Sequence, residues 1–153
     1  MNKSILDVTC GDRTIWFQKN EPHTIYCDKR REEWEGEFGN VLNRYGKKKK
    51  RHLVIDPDVQ CDFTDLPFPD ESFHLVVFDP PHIENLGQNA WMRKSYGSLD
   101  GDWRPMIRGG VQRVYACAET ERSADIQMVR HIRFDARNPK RNRGRTVIRT
   151  SLW

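Results

Sequence analysis

Short apolar runs alternate with long polar stretches along the first eighty residues, and each run meets an aspartate. Ser4–Val8, His23–Cys27 and His74–Phe78 are rich in β-branched and aromatic side chains, and they run into Asp7, Asp28 and Asp79. Runs this short and this apolar predict buried strands of a parallel sheet. A further strand is expected over Val59–Phe63 and a short one at His52–Ile55. The polar stretches between them are crossover helices or loops, so the pattern is α/β. Arg30–Arg51 is rich in charge and holds the basic run Lys47–Arg51. It reads as a solvated loop, with a phosphate-backbone contact as the functional alternative. A helix is foreshadowed at Gly101–Ile107, after which residues 111–153 show no clear strand.

Composition adds limits to this picture. The 153 residues suit one domain with a single core. No apolar run approaches the length of a membrane span. The N-terminal apolar segment turns polar after Val8, too soon for a signal peptide. A cytoplasmic protein is expected. Cys10, Cys27, Cys61 and Cys117 form no CxxC pair and no zinc spacing, so they are read as small buried apolar residues and no metal is expected. The net charge of +4 is unevenly spread: residues 111–153 hold 10 Lys+Arg and 4 Asp+Glu, which leaves the first 110 residues slightly acidic.

Ligands of open α/β sheets bind beyond the carboxyl ends of the strands, and four such ends carry chemistry here. Asp7-Val8-Thr9-Cys10-Gly11-Asp12 is a strand running into a small-residue turn, where backbone N–H groups can approach a ligand. An ordinary strand-end turn has the same composition. Asp28 ends the second strand about twenty residues later, where a carboxylate can accept from both hydroxyls of a ribose or else cap local backbone. Asp62 and Phe63 can receive an adenine amine and cover its ring, while Phe68 reads as core. Phe78-Asp79-Pro80-Pro81-His82 is the sharpest signal. Two prolines fix φ and stiffen the turn. A carboxylate and a proline carbonyl can together accept both hydrogens of an exocyclic amine, and an imidazole beside them can stack on the acceptor's ring.

The four motifs in this order resemble the class I S-adenosylmethionine-dependent methyltransferases over residues 4–110. The resemblance implies a Rossmann-like sheet with S-adenosyl-L-methionine as cofactor. It implies that Asp7, Thr9 and Gly11 line the methionine part, Asp28 holds the ribose, and Asp62 with Phe63 receives the adenine. Asp79, Pro80, Pro81 and His82 match the D/N-P-P-Y/F/W motif of amino-methyltransferases, with His82 in the aromatic place. The stretch Asp65–Phe73 resembles the family's approach to that strand. DVTCG, DPPH and the following Trp91-Met92-Arg93-Lys94-Ser95-Tyr96-Gly97 are most similar to a small subgroup from phages and bacteria. The implied reaction is methyl transfer to an amine, with an exocyclic amine of a DNA or RNA base as acceptor. A non-catalytic nucleotide- or nucleic-acid-binding module with a basic tail is the alternative.

A methyltransferase sheet would continue beyond strand four with a fifth strand and an antiparallel hairpin. Residues 111–153 lack that pattern. Read one base later, synonymous codons for this stretch encode segments such as RVLKPNG, ALIFKW and PLFGHRSG, which restore it. Two domains of unequal status are therefore expected: a half-domain over 1–110, and an out-of-frame translation over 111–153. The sheet would then be incomplete after strand four, leaving an apolar edge strand and an inactive chain. Sequencing the gene across the codons for Gly109 and Gly110 tests this; one surplus G is the expected finding, and its absence makes the tail a genuine basic segment.

Overall fold

A computed structural model describes residues 4–42, 44–46 and 48–118. The chain forms β1 (Ile5–Asp7), β2 (Thr24–Asp28), β3 (Glu32–Leu42), β4 (Lys48–Ile55), β5 (Val59–Gln60), β6 (Leu75–Val77), α1 (Trp91–Tyr96) and α2 (Arg104–Cys117). It is an α/β structure with a four-stranded sheet in the order β5-β2-β1-β6 and a separate two-stranded sheet, β3-β4. All three pairings in the larger sheet are parallel. That order matches the first four strands of a doubly wound sheet, 3-2-1-4, whose direction of winding reverses beside the first strand. The expected strands at 4–8, 59–63 and 74–78 each contain one of these strands, and the one at 23–27 overlaps β2, which runs one residue further to Asp28. Among the described residues, β6 is an edge strand, paired only with β1.

The two faces of the sheet follow from the period-2 alternation of strands. Leu6, Val8, Cys27, Val76 and Phe78 belong to one buried cluster, completed by Phe63, Leu66, Phe73 and by Val114, Cys117 and Ala118. The last three come from α2 and its end, so α2 covers this face. Asp7 and Tyr26 point the other way. There the segment between β1 and β2 is irregular rather than helical. Trp16 meets the Tyr26 ring edge-on at 5.6 Å, and the Arg13 guanidinium lies 3.9 Å over the same ring.

The stretch expected as a solvated loop, Arg30–Arg51, is instead most of an antiparallel hairpin. Glu32 to Glu37 pair in register with Ile55 to Lys50, with an irregularity beyond Glu37. Alternation is present but disguised. Leu53 and Ile55 are buried while Val54 between them is exposed, and Glu33, Glu35 and Glu37 take the exposed positions of β3. Only Trp34 gives the other side of β3 between Glu32 and Glu37 a large apolar group, so the strand is too acidic to read as one. The run at 47–51 is thus mainly strand; Arg51 stacks over the Trp91 ring of α1 at 4.7 Å.

The boundary expected at 110/111 falls inside α2. Beyond it, Arg113 donates to the Leu66 carbonyl from Nε (3.3 Å) and Nη2 (3.1 Å), to the Phe68 carbonyl, and pairs with Asp70 at 2.6 Å. The expected out-of-frame tail otherwise falls on residues 119–153, which lie outside the described residues. No helix among the described residues is long and apolar enough to cross a membrane.

Gly109 and Gly110 make a paired prediction. A Cβ on Gly110 would sit 2.3 Å from the Phe63 ring, whereas one on Gly109 would meet nothing within 4 Å. Gly110→Ala should destabilise by about 1–2 kcal/mol, since overpacking exceeds the gain in helix propensity. Gly109→Ala should stabilise by about 0.5–1 kcal/mol. Urea denaturation of both variants checks the opposite signs.

Candidate functional site

The carboxyl ends of β1, β2 and β6 are held together by bonds that continue the sheet past its regular strands. Val8 N–H donates to the Val77 carbonyl (3.0 Å) and Cys10 N–H to the Cys27 carbonyl (2.8 Å). The Asp79 N–H donates to the Thr9 hydroxyl oxygen at 2.8 Å. This last contact ties the turn after β1 to the proline turn after β6, across the crevice where parallel sheets bind ligands.

A cavity of about 400 Å³ opens at this crevice, within the range of small-molecule sites. Of the residues singled out from sequence, Thr9, Gly11, Asp28, Phe63, Asp79, Pro80, Pro81 and His82 line it. Asp7 and Asp62 do not. Asp7 is fully buried behind the turn, where its carboxylate accepts the Thr9 N–H at 3.2 Å and the Trp16 indole N–H at 2.7 Å. Its place is structural: it fixes the turn that presents Thr9 and Gly11. Asp62 accepts from the Thr64 N–H (3.0 Å) and hydroxyl (2.8 Å) and pairs with Lys29 at 3.5 Å. Phe63 serves two surfaces, lining the cavity while its ring packs on Phe78 at 5.2 Å.

Gly11 takes a positive φ of 51°, which a residue without Cβ adopts without strain. Its N–H donates to Asp28 Oδ2 at 3.0 Å. Asp28 also accepts the Arg30 N–H (2.9 Å), Arg30 Nε (3.1 Å) and a terminal guanidinium nitrogen (3.3 Å). Four donors fill the four lone-pair positions of a carboxylate. The other end of the Arg30 guanidinium donates to the Lys94 carbonyl at 2.7 Å. One arginine therefore joins the end of β2 to α1 across the cavity, a role the sequence did not disclose.

A further wall of the cavity comes from α1 and its C-terminal end. Gly97 has φ of 77°, and a Cβ there would lie 2.9 Å from the Pro81 ring. Glycine is thus required for α1 to close on the proline turn. Tyr96 and His82, both exposed, stand with ring centres 6.5 Å apart at 47°. Arg93 is engaged with the Leu86 carbonyl (2.7 Å) and with Asp100. Cys10 lines the cavity too, but burial, reinforced by the charges of Asp7 and Asp28, pushes its thiol up to about 12. It stays protonated and is no nucleophile at neutral pH.

Comparison with protein-family models, with curated proteins and with solved structures finds no match to this chain.

Asp7 gives the fold a pH dependence. Burial, opposed by the bonds from Trp16 and Thr9, pushes its carboxyl up from 3.8 to about 6. Between these values the folded chain keeps a proton that the unfolded chain has lost. Stability from this group therefore falls as pH rises through the window, by roughly 3 kcal/mol in all. Asp7→Asn cannot titrate, so the difference in unfolding free energy between variant and parent should shift in the variant's favour from pH 4 to pH 7. Denaturant titrations at several pH values measure it.

Proposed function

We propose that this chain is an S-adenosylmethionine-dependent methyltransferase with a Rossmann-like sheet, acting on an exocyclic amine of a nucleic-acid base and active once the reading frame beyond residue 110 is restored. The observation that carries the reading is the Thr9–Asp79 hydrogen bond. It brings the ligand-binding turn and the amine-accepting turn into one cavity at the reversal point of a parallel sheet.

The cavity residues fit the cofactor. Gly11 offers an open left-handed turn, and Phe63 supplies an aromatic wall. Asp28 is aimed at the same space, and a ribose diol there takes the places now held by the Arg30 side chain. Asp62, outside the cavity lining, has the poorest fit among the expected contacts. S-adenosylmethionine supplies an electrophilic methyl group on a sulfonium.

The chain's own part is positioning. The Asp79 carboxylate and the Pro80 carbonyl accept the two hydrogens of the amine, which directs the nitrogen lone pair at the methyl carbon. Pro80 and Pro81 hold that pair of acceptors rigid, and Gly97 lets α1 brace Pro81 from behind. His82 and Tyr96 present ring faces at the mouth. The proton shed after transfer passes to Asp79 and leaves through the exposed mouth beside His82.

In the chain with its frame restored beyond residue 110, Asp79→Ala removes the amine acceptor and leaves Gly11, Asp28 and Phe63 in place. The expected result is a loss of methyl transfer to DNA or RNA of at least about a hundred-fold. Binding of S-adenosylhomocysteine, read by calorimetry, should stay within about two-fold of the parent. Retained transfer would sink the reading, and retained nucleic-acid binding by a parent without transfer would favour the non-catalytic module.

A further inference from the structure

We propose that the tip of the β3–β4 hairpin is an arm that holds the phosphate backbone of the acceptor nucleic acid while one base enters the cavity. The inference deepens the methyltransferase reading and rests on the acceptor class it names.

The cavity itself is a poor place for phosphates. Asp12, Asp28, Glu32, Asp79 and Asp100 line it. Of the cations beside them, Arg30 is paired with Asp28 and Glu32, and Arg93 with Asp100. A polyanion whose base reaches Asp79 therefore needs its backbone held outside the cavity. The hairpin divides its charge along its length. Glu32, Glu33, Glu35 and Glu37 fall within the first six residues of β3. These four are met within the fold. Glu32 pairs with Arg30 at 3.7 Å and Glu33 with His52 at 2.7 Å, while Glu35 and Glu37 stand opposite His52 and Lys50 in the register. Past Glu37 the sign changes: residues 38–51 hold two arginines, four lysines and no acid. Lys48 pairs with Leu42, beyond the last glutamate. In the connection between the strands Tyr45 is 71% exposed, with the Arg44 guanidinium 4.9 Å over its ring. A run of cations beside an exposed aromatic ring suits single-stranded nucleic acid, with phosphates on the charges and a base on the ring. The arm is also tied to the site. Arg51 lies 4.7 Å over the Trp91 ring of α1, and α1 contributes Lys94 and Tyr96 to the cavity lining. From Arg51 to Gly46 a strand spans at most about 16 Å, so the arm reaches phosphates close to the base in the cavity.

The test uses the chain with its frame restored beyond residue 110, so that the arginines of residues 111–153 do not contribute. Binding of a labelled single-stranded oligonucleotide, once as DNA and once as RNA, is read by fluorescence anisotropy across a salt series. Lys48→Gln combined with Lys49→Gln removes two phosphate contacts, so the plot of log affinity against log salt should flatten by about 1.4. Arg104→Gln combined with Arg108→Gln removes the same charge from exposed positions of α2 and should leave the slope unchanged. Tyr45→Ala removes a stacking platform and no charge, so it should weaken binding about ten-fold at an unchanged slope. All of these variants should bind S-adenosylhomocysteine as the parent does. An unchanged slope in the lysine variant, or equal flattening in both double variants, would overturn the arm. Polyglutamate that competes as well as the unlabelled strand would overturn the choice of nucleic acid. A parent that binds S-adenosylhomocysteine but neither oligonucleotide would overturn the arm and leave the cofactor reading standing. A parent that shows the expected slopes but neither binds S-adenosylhomocysteine nor transfers a methyl group would overturn the methyltransferase reading alone.

Discussion

The site depends on one contact of 2.8 Å, between the Asp79 amide and the Thr9 hydroxyl. β1 and β6 are parallel neighbours in the sheet, and ligands of such sheets bind beyond the carboxyl ends of the strands. The Thr9 hydroxyl ties the two turns that leave those ends. Behind Thr9, the buried Asp7 carboxylate holds the Thr9 N–H and anchors the loop through Trp16. The turn is thus fixed from both sides, and its rigidity is inherited by Gly11 and Asp79.

A second constraint crosses the cavity. Arg30 fills the Asp28 carboxylate and reaches the Lys94 carbonyl of α1. On the proposed reading, the ligand diol and the guanidinium compete for the same oxygens. Occupancy of the site then loosens the tie between β2 and α1, the element that also carries Ser95 and Tyr96. Cofactor and acceptor sites would be coupled through a single side chain rather than through movement of the sheet.

α2 illustrates how one face of the sheet is covered among the described residues. Its Gly110 permits the Phe63 ring to lie against the helix, and its Val114, Cys117 and Ala118 cover Phe73 and Val76. Arg113 then binds two carbonyls of the 66–70 turn. These contacts lie beyond residue 110, so the described helix extends the core past the limit to which the family resemblance runs.

The sequence by itself determined the parallel strands, because buried strands need apolar residues on both faces and such runs stand out from a charged background. It also determined which residues close those strands. Hence eight of the ten singled-out site residues line one cavity. Burial decided the other two. Asp7 alternates with Leu6 and Val8 and so faces away from the α2 core, where Trp16 claims it; Asp62 spends its oxygens on its own turn. Tertiary structure alone decided the hairpin of β3 and β4, whose glutamates hid its alternation. It alone placed α1 at the cavity, with Arg30, Ser95 and Tyr96 in the lining. Their partners lie between 14 and 84 residues away in the chain, and contacts at that separation leave no local periodicity to read.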